Sequence, residues 1–228
     1  MIGLGKLGLP VAEVMAGQHE VKGYDVDTNI KNDKIKICNS LFNAVNDAEI
    51  IFIAVPTPHD PAYGGEAPSS ELPTKDFDYQ YLKSTLTHLV EYAPKDALIV
   101  NISTVLPGTI RPMVTELGIN DQFIYNPYLI AMGTVTEDFL APDIMMLGFD
   151  TWPTEENKIK ADKLVEFYKT VQTKREPHTT LGTWEEAECI KIFHNTYISA
   201  KVGIANMIQD VTMKIGHSNP TVIAESLS

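Results

Sequence analysis

The sequence predicts an α/β fold: a doubly wound, mostly parallel sheet followed by a long helix of a second, helical domain. Three observations support this prediction: alternating β-rich and helical segments, a glycine pattern at the start of the chain, and a long proline-free stretch after residue 182. The β-rich segments are short apolar runs separated by stretches in which apolar residues recur at helical spacing. These runs are VKGYDV, KIKIC, EIIFIAV, DALIVNI, QFIYN and IMMLGF.

Local signals place several element boundaries. Ser40 is a suitable N-cap for the helical segment LFNAVNDA, and Pro107 suits the first turn of a helix after ALIVNISTVL. The connection between VKGYDVD and KIKIC has only about six residues, which is shorter than a parallel crossover usually needs. Either this crossover contains no helix or KIKIC pairs in a different way.

The stretch after residue 182 has a different character from the rest of the chain. Residues 183–216 contain no proline and carry apolar residues at three- and four-residue steps, which predicts one long helix with at least one buried face. Ser218, Asn219 and Pro220 then signal a stop followed by a new helix start. We therefore predict a sheet domain over residues 1–182 and the start of a helical domain over residues 183–228.

Composition excludes several classes of partner. The formal charge of −12 and the isoelectric point near 4.9 disfavour nucleic acid and anionic membrane surfaces, because both would be repelled. The apolar run IIFIAV is too short to span a bilayer, and the start of the chain lacks the features of a signal peptide. Cys38 and Cys189 form neither a metal motif nor a disulfide framework, so we expect a cytoplasmic protein with no metal site.

The first residues carry a glycine pattern that is typical of dinucleotide binding. The sequence G-x-G-x-x-G precedes a helical segment and then the strand VKGYD, while only Met1 and Ile2 remain for the strand before it. In such a Rossmann-like unit the helix N-terminus holds a pyrophosphate, and an acidic residue at the end of the next strand, here Asp25, accepts hydrogen bonds from ribose hydroxyls. This carboxylate disfavours a 2′-phosphate, so NAD is favoured over NADP. The alternative is a glycine-rich turn beside a solvated aspartate. The predicted cofactor-binding residues here are Gly3, Gly5, Lys6, Leu7, Gly8 and Asp25.

Two further segments place polar residues at the carboxyl ends of predicted strands. Ligands of open α/β sheets lie at that edge, so hydroxyl groups there are candidates for binding cofactor or substrate. Threonine is also common at strand ends because of its β-propensity alone, which is the alternative explanation. The predicted binding residues of this edge are Val55, Pro56, Thr57, Ser103 and Thr104.

Lys191 and Asn195 lie four residues apart and therefore on one side of the long predicted helix. A lysine facing a nicotinamide pocket stabilises an alkoxide or receives its proton, and an asparagine one turn further fixes a water molecule or a substrate oxygen. The alternative is a solvated helix face, on which Glu185 and Glu188 form ordinary ion pairs.

Taken in order, these segments resemble the UDP-glucose/GDP-mannose dehydrogenase family over almost the whole chain. The resemblance implies oxidation of the C6 alcohol of a nucleotide sugar by two NAD in succession, with a cysteine holding the intermediate. It matches Lys191 and Asn195 to the family's catalytic lysine and asparagine, Thr104 to its active-site threonine, and the 183–216 helix to the domain through which subunits form a homodimer. The segments that carry it are IGLGKLGLPVA, VPTP, STVLPGT, NPYLIAMG, EDFLAPD and AECIKIFHNTYISAKVGIAN.

The chain also departs from this family's pattern. Where the family reads N-P-E-F-L-x-E-G, this chain reads NPYLIAMG, so Tyr128 and Met132 replace two carboxylates. A phenol or a thioether cannot replace a carboxylate that activates water, and we expect neither the family's thioester hydrolysis nor its sugar specificity. The family's nucleophilic cysteine lies beyond residue 228, and we expect Cys38 and Cys189 to be small buried residues instead. The chain is thus expected to be an interior piece of a longer protein.

Two other functions remain open from the sequence. One is a β-hydroxyacid dehydrogenase of the kind related to 6-phosphogluconate dehydrogenase, which joins a Rossmann domain to a long helix bearing K-x-x-x-N. The other is an NAD-binding remnant without turnover, which the replacements Tyr128 and Met132 favour.

Overall fold

The computed structural model describes residues 1–64 and 71–227. Residues 65–70 and residue 228, the last of the predicted helical domain, lie outside this part. The chain divides into two compact units, Met1–Cys189 and Ile190–Ser228. The domain boundary predicted after residue 182 stays a prediction.

The first unit contains alternating strands and helices. Its strands are β1 (Lys22–Gly23), β2 (Lys36–Ile37), β3 (Ile50–Ile53), β4 (Leu98–Asn101), β5 (Phe123–Tyr125), β6 (Ile144–Phe149) and β7 (His178–Thr183). The helices of the chain are α1 (Gly8–Met15), α2 (Leu41–Val45), α3 (Gln80–Tyr92), α4 (Ile110–Leu117), α5 (Val135–Leu140), α6 (Glu155–Val171), α7 (Trp184–Ile215) and α8 (Pro220–Ser226). Short 3₁₀ turns occur at Pro61–Tyr63 and Asn120–Gln122.

The sheet is mostly parallel, as predicted. Five strands form one sheet in the order β3-β4-β5-β6-β7, and β5 and β6 are its antiparallel pair. Strands β1 and β2 form a second, parallel pair. Ile2 links the two sheets, because it forms parallel bridges to Tyr24 on one side and to Ile53 on the other. The first residues of the chain therefore occupy the central position of the sheet.

Apolar side chains cover both faces of this sheet. Phe52, Val100 and Ile124 point to one face and pack in a single cluster with buried residues of α1, α5 and α6. Their strand neighbours alternate to the opposite face, where α2, α3 and α4 carry further buried residues. Helices on both faces of the sheet confirm the doubly wound α/β prediction.

Three local predictions concern a helix cap, a short crossover and a helix start. Ser40 caps α2 as predicted, since its hydroxyl accepts from the Asn43 N–H at 3.2 Å. The crossover before β2 contains no helix, and β2 still pairs parallel to β1 because residues 24–35 make the return as an irregular loop. The prediction that Pro107 begins a helix was wrong. Gly108 follows it with φ at +86°, a value outside the helical region, and α4 begins only at Ile110.

Two further predictions concern the second half of the chain. Strand β7 was not predicted, because HTTLGT lacks the apolar run that marked the other strands. The long helix was predicted correctly: α7 has 32 residues and runs from the first unit into the second. The predicted new start is α8, where the Asn219 side chain accepts from the Thr221 N–H at 2.9 Å.

Candidate functional site

The glycine loop, which runs from Gly3 to the first residue of α1, requires two of its three glycines for steric reasons. Gly3 has φ at +86°, and a Cβ there would lie 2.5 Å from the carbonyl oxygen of Ala54. A Cβ on Gly8 would lie 2.0 Å from the carbonyl oxygen of Gly3. These two glycines let the loop turn tightly against β3 and against itself.

Gly5 has a different environment, which points to a ligand. A Cβ on Gly5 would meet no atom within 4 Å, and Gly5 and Lys6 are exposed while Leu7 is half-buried. Leu7 is the N-cap position of α1, and no side chain caps this helix. In the first turn of α1 the Leu9 N–H donates to the Gly5 carbonyl oxygen and Pro10 has no N–H, so the Gly8 N–H is the group that this turn offers to an anion. The bare Cα of Gly5 permits the close approach that a diphosphate needs.

Asp25 lies at the carboxyl end of β1 and braces the glycine loop. Its Oδ2 accepts from the Leu4 N–H at 2.6 Å, and its Oδ1 accepts from the Asp27 N–H at 2.9 Å. A carboxylate has about four lone-pair sites, so both oxygens retain capacity for further donors such as ribose hydroxyls. The structure thus brings together the predicted residues Gly3, Gly5, Lys6, Leu7, Gly8 and Asp25.

The strand-end residues also lie together, in two adjacent loops. The Thr57 hydroxyl donates to the Thr104 carbonyl oxygen at 2.6 Å, and the Ser103 hydroxyl donates to the Val55 carbonyl oxygen at 2.7 Å. Pro56, between Val55 and Thr57, is exposed. These hydroxyls fix the loop after β3 against the loop after β4, and each keeps an acceptor lone pair.

Glu188 anchors the start of α7 to α4. It is fully buried, and its two carboxylate oxygens accept from the N–H groups of Gly108 at 2.6 Å and Ile110 at 2.8 Å. Burial raises the pKa of Glu188 despite these two bonds. The carboxylate satisfies two N–H groups at the beginning of α4.

Glu185 makes a second connection between the same helices. Its carboxylate forms a two-point ion pair with Arg111, whose guanidinium also donates to the Asp150 carbonyl oxygen at 2.8 Å. The Arg111 guanidinium carbon lies 5.1 Å from the centre of the Trp184 ring. The alternative explanation gave Glu185 and Glu188 ordinary ion pairs within their own helix. In the structure Glu185 instead contacts Arg111 of α4, and Glu188 contacts N–H groups at the start of α4.

Lys191 and Asn195 lie in the second unit, on the α7 segment that begins at Ile190. Lys191 is half-buried and Asn195 is exposed. Burial lowers the pKa of the Lys191 ammonium. A lysine of lowered pKa exchanges a proton more readily near neutral pH, which is the property that a proton-transferring group needs.

Tyr128 occupies one of the positions where the resemblance implies a carboxylate. Its hydroxyl lies 2.8 Å from the hydroxyl of Tyr168, which in turn donates to the Asn126 side-chain oxygen. Its ring packs against Phe139, with centroids 5.6 Å apart. Burial raises the pKa of both phenols, so Tyr128 is neutral at physiological pH. Met132, the other replacement, is exposed.

The two cysteines differ in burial. Cys38 is buried as predicted, and its thiol donates to the Asn43 carbonyl oxygen at 3.5 Å. Cys189 is only half-buried, so the prediction that it is buried was wrong. Within residues 1–64 and 71–227 no group of three or more His, Cys, Asp or Glu side chains is placed to hold a metal ion. Among the same residues no helix is both long and apolar enough to cross a bilayer.

Sequence reasoning missed the polar groups that support the site. Tyr79 is one example, because its hydroxyl accepts from the Leu106 N–H at 3.1 Å and so holds the loop before α4. Glu188 is another. One sequence signal was available for Glu188. It follows Glu185 by three residues near the start of a predicted helix, so both carboxylates lie on the same side of that helix.

Comparison with known proteins connects this geometry to a family. The model of the UDP-glucose/GDP-mannose dehydrogenase family, NAD binding domain, matches residues 25–172. The chain belongs to this family. The matched range starts at Asp25 and therefore covers the strand-end loops and Tyr128, while the glycine loop precedes it.

Individual relatives agree with this assignment. UDP-glucose 6-dehydrogenase of Rickettsia conorii is 29% identical over 216 residues, which cover 93% of this chain and 44% of that protein. The chain thus spans about half the length of the curated relatives it matches or somewhat less.

Solved structures share the fold. A ternary complex of GDP-mannose dehydrogenase from Pseudomonas aeruginosa superposes with a TM-score of 0.74 at 22% identity, covering 99% of this chain and 55% of that one. A 3-hydroxyisobutyrate dehydrogenase from Mycobacterium tuberculosis superposes with a TM-score of 0.67 at 16% identity, covering 95% of this chain and 65% of that one. At these identities the likeness establishes the fold alone.

Proposed function

We propose that the chain holds NAD at the glycine loop of this family's NAD-binding domain. The observation that carries the proposal is the combination of an uncapped α1 N-terminus, open space at Gly5 and a carboxylate, Asp25, already hydrogen-bonded to the same loop. The N–H groups of Gly5 to Gly8 bind the diphosphate, and the remaining lone pairs of Asp25 accept from the adenosine ribose. A 2′-phosphate would be repelled by Asp25, which favours NAD over NADP.

The proposed reaction is the oxidation of a hydroxyl group on a nucleotide sugar, a UDP- or GDP-hexose. NAD supplies the hydride acceptor for this chemistry. On the protein side, Lys191 takes up the hydroxyl proton, Asn195 hydrogen-bonds a substrate oxygen or a water molecule, and Thr104 contributes a side-chain hydroxyl at the strand-end loops. The lowered pKa of Lys191 supports its role, and the relatives' names support the substrate class.

We do not expect this chain to complete the oxidation to a carboxylate. That step requires a group that activates water, and Tyr128 is a half-buried, neutral phenol hydrogen-bonded to Tyr168. The expected product in this case is at the aldehyde level, formed with one NAD.

The proposal also includes an oligomeric state and a cellular location. A homodimer formed through the 183–216 helix would cover apolar side chains that are exposed in one copy of the chain. A cytoplasmic location agrees with two free cysteines. The exposed apolar residues of the helix are Phe193, Tyr197, Ile198, Val202, Ile204, Met207, Val211, Met213 and Ile215.

Two other functions have some support. The fold shared with 3-hydroxyisobutyrate dehydrogenase favours a β-hydroxyacid substrate, and a panel of small hydroxy acids tested for NADH formation separates this from nucleotide sugars. The neutral phenol of Tyr128, in place of a carboxylate, favours a remnant that binds NAD without turnover. In that case NAD binds but none of the substrates produces NADH.

The deciding experiment is a calorimetric titration of the chain with NAD and NADP. The matched variant is Gly5→Val, because a Cβ at this position enters space that the protein leaves open. We expect NAD to bind more tightly than NADP, and the valine variant to lose NAD binding while its circular dichroism stays unchanged. Equal NAD affinity in both proteins would place the cofactor elsewhere.

A further inference from the structure

Side chains of other elements hold the loop between β4 and α4, residues 102–109, which we call the β4–α4 loop. The Val105 N–H donates to the Tyr125 hydroxyl at 3.3 Å, and the Leu106 N–H donates to the Tyr79 hydroxyl at 3.1 Å. Tyr125 is the last residue of β5, and Tyr79 immediately precedes α3. Two successive amides of the loop are therefore bound to two different parts of the first unit.

Burial fixes the position of both of these hydroxyls. Tyr125 is 0% exposed and Tyr79 is 9% exposed. Burial raises the pKa of both phenols, so each stays neutral and accepts a hydrogen bond while it keeps its own proton. The Tyr79 hydroxyl also lies 3.2 Å from the hydroxyl of Thr109, which donates to the Leu106 carbonyl oxygen at 2.6 Å. Tyr79 therefore contacts the β4–α4 loop in the middle and at its end.

Glu188 of α7 holds the last part of the same loop. Its carboxylate accepts from the Gly108 N–H at 2.6 Å and from the N–H of Ile110, the first residue of α4, at 2.8 Å. Glu188 is 0% exposed. A shift of the loop would leave this buried carboxylate without its donors, which is costly. The β4–α4 loop is therefore held in one position.

Thr104 has a different set of contacts from the residues that follow it. Its carbonyl oxygen accepts from the Thr57 hydroxyl at 2.6 Å. Within the part of the chain that the structure describes, no group is hydrogen-bonded to the N–H or to the hydroxyl of Thr104. Thr104 is half-buried, whereas Val105 is buried. Two donors of Thr104 thus remain available to an oxygen atom of a ligand, while the next two N–H groups of the loop are engaged.

We propose that Tyr79, Tyr125 and Glu188 are positioning residues that hold the β4–α4 loop so that the Thr104 N–H and hydroxyl meet one oxygen atom of the substrate. This inference rests on the proposed function, in which Thr104 takes part in the oxidation of a nucleotide-sugar hydroxyl. The two donors stabilise the negative charge that this oxygen carries once its proton has left. Because a misplacement of about 1 Å can lower a rate about 100-fold, three distant acceptors on one loop matter for catalysis as well as for folding.

The test removes one hydroxyl and separates rate from binding. Tyr79→Phe keeps the buried ring and deletes the acceptor of the Leu106 N–H. We expect kcat for NADH formation from UDP-glucose or GDP-mannose to fall at least about tenfold, while KM and the calorimetric affinity for NAD stay within about twofold. Ser40→Ala is the control, because it deletes the acceptor of another backbone N–H, that of Asn43, in α2. Its kcat should stay within about twofold of the wild type.

A second variant makes the kinetic test independent of one substitution. Tyr125→Phe deletes the acceptor of the Val105 N–H and should also lower kcat with little change in KM. Circular dichroism shows which variants are folded, and a variant that does not fold leaves the other to decide. A wild-type kcat in the folded tyrosine variants, or an equal loss in Ser40→Ala, would overturn the proposal.

Amide exchange distinguishes this proposal from the proposed function, because it needs no turnover. NADH together with the nucleotide sugar should slow exchange of the Thr104 N–H at least about tenfold in the wild type and less than about threefold in Tyr79→Phe. Calorimetric binding of both ligands without this slowing would overturn the positioning proposal alone. Failure to bind UDP-glucose and GDP-mannose would overturn the proposed function and this inference with it.

Discussion

The N–H of Leu4 donates a 2.6 Å hydrogen bond to the carboxylate of Asp25, across 21 residues of sequence. This bond ties the glycine loop to the end of β1, where the proposed ribose-binding carboxylate lies. The same side chain therefore shapes the loop and is positioned by it. A ligand that bridges the loop and Asp25 would meet two groups whose relative position is already fixed.

The first prediction concerns that carboxylate. Asp25→Asn keeps an oxygen that accepts from Leu4 but removes the charge and places donors where ribose hydroxyls need an acceptor. Hydrogen bonds to charged groups contribute about 1.5–3 kcal/mol, so NAD affinity should fall roughly 10- to 100-fold. Calorimetry with NAD measures this change. An unaltered NAD affinity in a folded Asp25→Asn protein would mean that the ribose lies away from this side chain.

The second prediction distinguishes two glycines of one loop. Gly8→Ala places a Cβ against the Gly3 carbonyl oxygen, a backbone atom that cannot move aside, whereas Gly5→Ala enters free space. The first change should lower the free energy of unfolding by about 3 kcal/mol or more, and the second by less than about 1 kcal/mol. Urea denaturation measures both. Similar losses for the two variants would contradict the loop geometry.

Much of this arrangement follows from sequence because its determinants are local. The glycine spacing, the β-rich runs and the long proline-free helix each lie within a few dozen residues, and the structure has all three. The contacts that were missed join distant segments. Glu188 binds the N–H of Ile110 across 78 residues, and nothing near either residue specifies the other. Strand β7 was not predicted because its pairing with β6 defines it, while its own sequence has little apolar content.

The third prediction is a pH dependence of stability. The pKa of Glu188 is raised in the folded protein, so between its unfolded and folded pKa the native state binds more protons. The contribution of this group is therefore complete below the unfolded pKa, near 4.5, and declines as pH rises through the folded pKa. Glu188→Gln removes this dependence. It also places an amide group against one of two N–H donors, at a cost of about 1–3 kcal/mol.

Urea denaturation of the wild type and Glu188→Gln from pH 4 to pH 8 measures the effect. The unfolding free energy of the wild type minus that of Glu188→Gln should be larger at pH 4 than at pH 7. The matched control is Glu137→Gln, since Glu137 is an exposed glutamate in α5. A difference that grows with pH would indicate a folded pKa below the unfolded value.

The fourth prediction tests the proposed proton acceptor. Lys191→Met should lower the rate of NADH formation from UDP-glucose or GDP-mannose by about 10²- to 10⁴-fold, with NAD affinity unchanged. In the wild type this rate should rise with pH and reach its midpoint below 10.5, since burial lowers the pKa of Lys191. Lys214→Met is the matched control, because Lys214 is exposed near the end of the same helix. An equal loss of rate in Lys191→Met and Lys214→Met would show that Lys191 is not the proton acceptor.

The fifth prediction concerns association through α7. Val202 is 54% exposed, and Ile198 lies one turn before it with 46% exposed. Val202→Asp places a charge on this apolar face, and burying an unpaired charge in an interface costs far more than one apolar contact contributes. We therefore expect the wild type to sediment as a dimer and Val202→Asp to sediment as a monomer at the same concentration. Ile159→Asp is the control, because Ile159 is 70% exposed but belongs to α6; its sedimentation should match the wild type. A wild-type monomer, or dissociation by both substitutions, would show that this face of α7 does not specifically bind a second copy.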